Sequence, residues 1–119
     1  MEFQKDELDE ILNIFQQESS EIISSMDSKL LKLEHDGKDD DVAMQLFRDA
    51  HSLKGSARML GFVNIQNVAH KIEDIINLIK ENKIEVTAVV ADTISECLDF
   101  ISELISKTVE MGEEYKSEE

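Results

Sequence analysis

The chain has 119 residues, of which 41% are hydrophobic and 33% are charged, and its formal net charge is −15. This length and balance are typical of one globular domain and exclude a disordered chain. The acidic surface repels nucleic-acid phosphates, and no apolar run approaches the roughly 20 residues of a membrane span. We therefore expect no nucleic-acid partner and no membrane insertion.

The residue types limit the fold class and the location further. No proline and only four glycines are present, which favours long helices over strands and hairpins. The single cysteine, Cys97, excludes an internal disulfide and a cysteine-based zinc site, and we expect it to be a small core residue. The amino-terminal residues are too charged for a secretory signal peptide, so the expected location is cytoplasmic.

Apolar residues at helical spacing predict a first helix over about residues 5–34 and a second over about residues 42–60. The first contains a polar stretch at residues 16–20, where a kink or an exposed turn would fit. The connection, residues 35–41, is charged, and its aspartates suit the amino end of a helix. Gly61 follows the second helix, where a left-handed terminator is expected.

The same periodicity predicts a third helix, with Asn64 as its N-cap, and a fourth, with Thr87 as its N-cap and an end near Met111. Amphipathic helices joined by short turns imply an all-α, antiparallel up-and-down four-helix bundle. We expect the domain to span residues 1–111. Residues 112–119 would be a polar tail or the start of a linker, with room at most for a short extra C-terminal helix.

The segment 47–62, FRDAHSLKGSARMLGF, contains the candidate chemistry. His51 lies in the middle of the second helix, and Lys54 and Gly55 follow three and four residues later on the same face. A glycine inside a helix costs about 1 kcal/mol relative to alanine, so something should offset that cost. Either another chain approaches closely beside His51, or a neighbouring helix packs tightly at Gly55.

His70 and Glu73 share one face of the third helix, which can meet His51 if the second and third helices pack antiparallel. Histidine can take a phosphoryl group on one ring nitrogen while a carboxylate holds the other. The pattern suggests His51 as nucleophile, Glu73 as the group that orients it, Lys54 as a cation and His70 as an auxiliary residue. A zinc site of His51, His70 and Glu73 is a weaker alternative, because the spacing gives it little support.

The run HSLKGSARMLGF, followed by AHKIEDIINLI, resembles the histidine phosphotransfer (HPt) domain at the amino terminus of the chemotaxis kinase CheA. The resemblance covers nearly the whole chain and is most specific over residues 47–79. It implies that His51 is the phosphoacceptor, that Glu73 orients its imidazole, and that Lys54 and His70 assist. Many members have a small residue where this chain has Arg58, two turns from His51, so Arg58 and Gly55 are candidates for partner docking.

The resemblance also implies the partners. His51 would accept the γ-phosphoryl of ATP from the CheA kinase domain and pass it to an aspartate of a response-regulator receiver domain of the CheY or CheB type. No nucleotide loop or metal-ligand run is present, so ATP and Mg²⁺ would come from the partner domains. This domain would be part of a histidine kinase but would have no ATP site of its own. We expect the domain to be monomeric. Two alternatives remain: a stand-alone phosphorelay shuttle between receivers, and a purely structural bundle or docking adaptor.

Overall fold

The computed structural model describes residues 5–112 and consists there of helices joined by short turns. The helices are α1 (Lys5–Asp36), α2 (Asp40–Met59), α3 (Val63–Lys80) and α4 (Ala88–Met111). Helices α1 and α3 each pack against both α2 and α4, so the four form the corners of an antiparallel up-and-down bundle. The predicted fold class is confirmed. None of the helices in this part of the chain is long and apolar enough to cross a membrane.

The core runs along the bundle axis and consists mainly of aliphatic side chains. Burying each large one contributes about 1.5–3 kcal/mol relative to leaving it in water. The largest fully buried apolar side chains are Leu12, Met26, Leu30, Leu46, Leu53, Ile65, Ile72, Ile76, Ile94, Leu98 and Ile101. Cys97 is only half-buried and packs against this cluster.

Helix α1 is continuous through the polar stretch at residues 16–20, where a kink or exposed turn was expected. Ser19 is only 1% exposed and lies one turn from Phe15 and one turn from Ile23, both of which are buried. The small serine side chain therefore takes an inner position in the same helical row, and the helix does not need to bend.

Two of the three predicted helix starts are confirmed. The Asp39 carboxylate accepts a hydrogen bond of 3.1 Å from the amide of Val42, and the Thr87 hydroxyl accepts one of 3.2 Å from the amide of Val90. Each satisfies an amide that has no partner inside its helix. Gly61 has φ 74° and ends α2, as expected for a left-handed terminator.

The prediction of Asn64 as the N-cap of α3 is wrong. The helix begins at Val63, and the residue before it, Phe62, provides no side-chain cap. Phe62 is 8% exposed, its ring lies 5.5 Å from that of Phe15, and its carbonyl accepts the amide of Gln66 at 2.9 Å. Burial of this ring against α1 therefore sets the start of α3 earlier than the asparagine suggested.

At the other end of the chain, α4 ends at Met111, as predicted, and its C-cap is Gly112, which has φ 75°. The predicted tail and any short extra C-terminal helix lie, apart from Gly112, outside the described residues. The division into a domain of residues 1–111 and a tail of residues 112–119 stays a prediction.

Candidate functional site

His51 lies on the outer face of α2, and its side chain is 66% exposed. The packing of α3 beside α2 places Glu73 next to it, and the His51 Nδ1 atom is 2.7 Å from Glu73 Oε2. An ionised carboxylate only accepts hydrogen bonds, so Nδ1 donates and the proton of the neutral ring resides there. The Nε2 atom then keeps its lone pair, and it makes no hydrogen bond to any residue between 5 and 112.

Glu73 is the buried member of the site, with 7% of the residue exposed. Its second carboxylate oxygen, Oε1, accepts a hydrogen bond of 2.7 Å from the ammonium of Lys54. Burial alone would raise the pKa of Glu73, but the hydrogen bonds from Lys54 and His51, together with the positive charge of Lys54, outweigh it and hold the pKa below its ordinary value. Glu73 is therefore ionised at neutral pH, as an acceptor for the imidazole must be.

The ammonium of Lys54 contacts Glu73, whereas its predicted role as a cation for the phosphoryl group suggested that it would lie free beside His51. Its side chain is 19% exposed and its ammonium points at Glu73. Three side chains from two helices are thus linked in a row: the exposed imidazole of His51, the buried carboxylate of Glu73 and the mostly buried side chain of Lys54. The role of Lys54 toward a phosphoryl group stays a prediction.

His70 is not brought against His51. It is 57% exposed, and its Nε2 atom lies 3.6 Å from Asp74, one helical turn further along α3. The ligand atoms of His70, Glu73 and Asp74 lie within 4.8 Å of one another, so the grouping that the structure forms differs from the zinc alternative, which needed His51. His70 borders the site beside Glu73, and its auxiliary role stays a prediction.

Gly55 lies on the open face of α2. A Cβ atom placed there would meet nothing within 4 Å among atoms outside its own helix turn, so tight packing by a neighbouring helix does not explain this glycine. Arg58 is exposed on the same face, in the last turn of α2. Both residues are available to a partner that approaches His51, although neither has an observed contact that assigns this role.

Comparison with known proteins identifies the family. Residues 10–106 match the family described as "Hpt domain". The chain belongs to the Hpt domain family. The chemotaxis protein CheA of Bacillus subtilis (strain 168) is 29% identical over 107 residues, which are 90% of this chain and 16% of that protein. This Hpt domain thus spans only a small part of the length of such relatives.

Solved structures agree with this assignment. The CheA phosphotransferase domain from Thermotoga maritima is 30% identical, with a TM-score of 0.79 over 85% of this chain and 96% of that one. The phosphorylated P1 domain of CheA3 from R. sphaeroides, solved in complex with CheY6, has the same fold. It is 24% identical, with a TM-score of 0.79 over 91% of this chain and 84% of that one.

The site of this Hpt domain also contains two residues that the sequence did not single out. The Phe47 ring stacks on the imidazole of His51, with centroids 6.5 Å apart and planes inclined by 22°. The Lys80 ammonium lies 4.3 Å from the centre of the Phe47 ring. The spacing of Phe47, one helical turn before His51, is a signal that could have identified it. Lys80 could not be found this way, because its position depends on how far α3 is shifted along α2.

Proposed function

We propose that this Hpt domain is the phosphoacceptor domain of a CheA-type histidine kinase. His51 would accept the γ-phosphoryl group of ATP bound by the kinase domain and pass it to an aspartate of a response-regulator receiver domain. The observation that carries the proposal is the exposed His51 imidazole whose Nδ1 is held 2.7 Å from an ionised Glu73. That arrangement leaves Nε2 as the reactive atom and presents it to a partner protein.

The first transfer is a displacement at phosphorus. The Nε2 lone pair attacks the γ-phosphorus, the N–P bond forms, and the bond from phosphorus to the bridging oxygen breaks, so that ADP leaves with the electron pair. The ring keeps its proton on Nδ1 and becomes positively charged. Glu73, as an anion hydrogen-bonded to that proton, stabilises the charge that develops, and Lys54 keeps Glu73 ionised.

The second transfer reverses the chemistry at His51. A carboxylate oxygen of the receiver attacks the phosphorus, the P–N bond breaks, and its electron pair returns to Nε2, which restores the neutral imidazole. ATP and Mg²⁺ would be supplied by the kinase and receiver domains. The complex of the R. sphaeroides P1 domain with CheY6 supports a receiver as partner. We further propose that the domain is monomeric and acts in the cytoplasm.

The donor distinguishes this proposal from a phosphorelay shuttle between receivers. The similarity to CheA proteins over 90% of the chain favours a kinase domain as the donor. A shuttle would instead be phosphorylated by a phosphorylated receiver and not by a CheA kinase core. A purely structural bundle would be phosphorylated by neither.

The decisive experiment is the intact mass of the domain after incubation with a CheA kinase core, ATP and Mg²⁺, before and after brief acid treatment. We expect a gain of one phosphoryl group that acid removes and that His51→Gln prevents. His51→Gln should leave helicity and melting near wild type, because the side chain is mostly exposed. A His35→Gln variant is the matched control, since that histidine is also exposed and lies in the last turn of α1, outside the site. No gain with a kinase core proven active on its own substrate domain would refute the proposal.

A further inference from the structure

Phe47 provides a flat surface against the candidate phosphoacceptor. It precedes His51 by one turn of α2, and its ring is stacked on the imidazole at a centroid distance of 6.5 Å, within the range of aromatic pairs. Phe47 is half-buried and also packs against the bundle core. The core therefore holds part of the ring, and the plane of the ring is inclined by only 22° to that of the imidazole.

Lys80, at the carboxyl end of α3, fixes Phe47 from the other helix. Its ammonium lies 4.3 Å from the ring centre, well inside the distance at which a cation is attracted to an aromatic face. Lys80 makes no ion pair with any residue in the described range 5–112. Helix α3 thus reaches the imidazole twice, directly through Glu73 and indirectly through Lys80 and Phe47.

A single hydrogen bond does not fix an exposed imidazole. The hydrogen bond from Nδ1 to Glu73 fixes the position of one ring atom, but the plane of the imidazole can still rotate about it, because 66% of the side chain is exposed to solvent. A second restraint that acts on the plane of the ring removes this freedom. Holding a nucleophile in its reactive orientation is itself a source of rate acceleration.

We propose that Phe47, held by Lys80, is a positioning residue for His51. The stacked ring restricts the imidazole plane, so that Nδ1 stays on Glu73 and Nε2 faces the incoming phosphoryl group. The expected effect on phosphorylation rests on the proposed function, whereas the effect on the orientation of the ring does not.

The orientation can be measured without any kinase, by ¹⁵N NMR of the His51 ring nitrogens in the isolated domain. We expect the wild type to show one dominant tautomer, with the proton on Nδ1. Phe47→Leu keeps an apolar side chain against the core but removes the aromatic ring. It should move both nitrogen signals toward the average of the two tautomers. Phe100→Leu is the control, because Phe100 is an exposed ring on α4, which does not pack against α2. Wild-type signals in Phe47→Leu would overturn the proposal.

Lys80 provides a second test that removes no core contact. Lys80→Met should shift the nitrogen signals in the same direction as Phe47→Leu and by less, and Lys80→Arg should restore them, because a guanidinium also binds an aromatic face. Lys32→Met, at an exposed position on α1, controls for the loss of one charge. If Phe47→Leu fails to fold, the Lys80 variants decide: equal signals in Lys80→Met and wild type would overturn the proposal.

Kinetics separate positioning from docking. At saturating CheA kinase core, Phe47→Leu should lower the phosphorylation rate about threefold to tenfold, with the KM for the kinase unchanged. A raised KM with an unchanged maximal rate would assign Phe47 to docking and overturn the proposal. If even the wild type is not phosphorylated, the proposed function fails, and the NMR result still decides whether Phe47 positions the ring.

Discussion

Glu73→Gln is the substitution that tests the site most directly, because it keeps the shape of the side chain and removes only its charge. In the wild type both carboxylate oxygens accept hydrogen bonds of 2.7 Å, from His51 and Lys54. A glutamine has one oxygen, which the Lys54 ammonium will take, because an ammonium can only donate. The amide NH₂ group then faces His51 and favours the tautomer with its proton on Nε2, which has no lone pair for phosphorus.

The size of the effect follows from burial. A hydrogen bond to a charged group contributes about 1.5–3 kcal/mol, and Glu73→Gln loses one such bond and weakens another. Because water can replace part of the loss at His51, we expect the free energy of unfolding to fall by about 1–3 kcal/mol. For the buried aspartate of a serine-protease triad the analogous change lowers kcat about 10⁴-fold. His51 is 66% exposed, so we expect a smaller loss, about 10- to 100-fold in the phosphorylation rate.

The assay is single-turnover phosphorylation at saturating CheA kinase core, combined with urea unfolding of the same samples. Glu96→Gln, at an exposed position on α4, removes the same charge away from the site and should behave like wild type. A Glu73→Gln domain that is folded and is phosphorylated at the wild-type rate would remove Glu73 from the mechanism.

The stability difference between wild type and Glu73→Gln should depend on pH. The pKa of Glu73 is lower in the folded domain than its ordinary value of 4.5, which we take for the unfolded chain. Its contribution to stability is therefore complete above that value and is lost as the pH falls through the lower folded pKa. The difference in unfolding free energy between wild type and Glu73→Gln should be fully present above about pH 5 and should shrink below about pH 4. A difference that stays constant down to pH 3 would contradict the assignment.

Three further substitutions test other parts of the structure. Lys54→Met removes the 2.7 Å bond to Glu73 and should slow phosphorylation about tenfold, measured as above; an unchanged rate would contradict its role. Gly55→Ala should raise the melting temperature by about 2–5 °C, because the new methyl group meets nothing within 4 Å and alanine favours the helix. Thermal unfolding followed by circular dichroism measures this change, and a lower melting temperature would contradict an open face at Gly55. Leu53→Ala, at a fully buried position, should cost about 2–5 kcal/mol in urea unfolding, and a loss below 1 kcal/mol would contradict its burial.

The sequence predicted the fold well because the relevant information is local. Apolar residues at steps of three and four define each inner face, and Asp39 and Thr87 cap their helices through side chains only three residues from the amides they bind. The pairing of His51 with Glu73 also followed, since two adjacent antiparallel helices with a short turn bring such positions together. The prediction of Asn64 as an N-cap was wrong because a tertiary contact, the burial of Phe62, outweighs a local capping preference.

The partners of long side chains could not be predicted in the same way. Lys54 can reach several atoms from one position on α2, and its choice of Glu73 over solvent depends on how deeply the carboxylate is buried. His70 is exposed and pairs with Asp74, one turn further along its own helix, although the spacing also allowed it to meet His51. The contact of Lys80 with Phe47 depends on the relative shift of two helices, which the spacing within either helix does not determine.

A double-substitution cycle will decide how Lys54 acts. If Lys54 works through Glu73, by keeping it ionised, then Lys54→Met should have little further effect in a Glu73→Gln background, where no carboxylate remains. If Lys54 instead meets the phosphoryl group directly, the two rate losses should multiply, as for independent sites. The bond from Lys54 to Glu73 favours the first outcome. The Lys54 side chain is only 19% exposed and its ammonium is bonded to a buried anion, so it must give up that bond to reach a group on Nε2. We therefore expect strong non-additivity, and multiplying losses would refute a role of Lys54 that acts through Glu73.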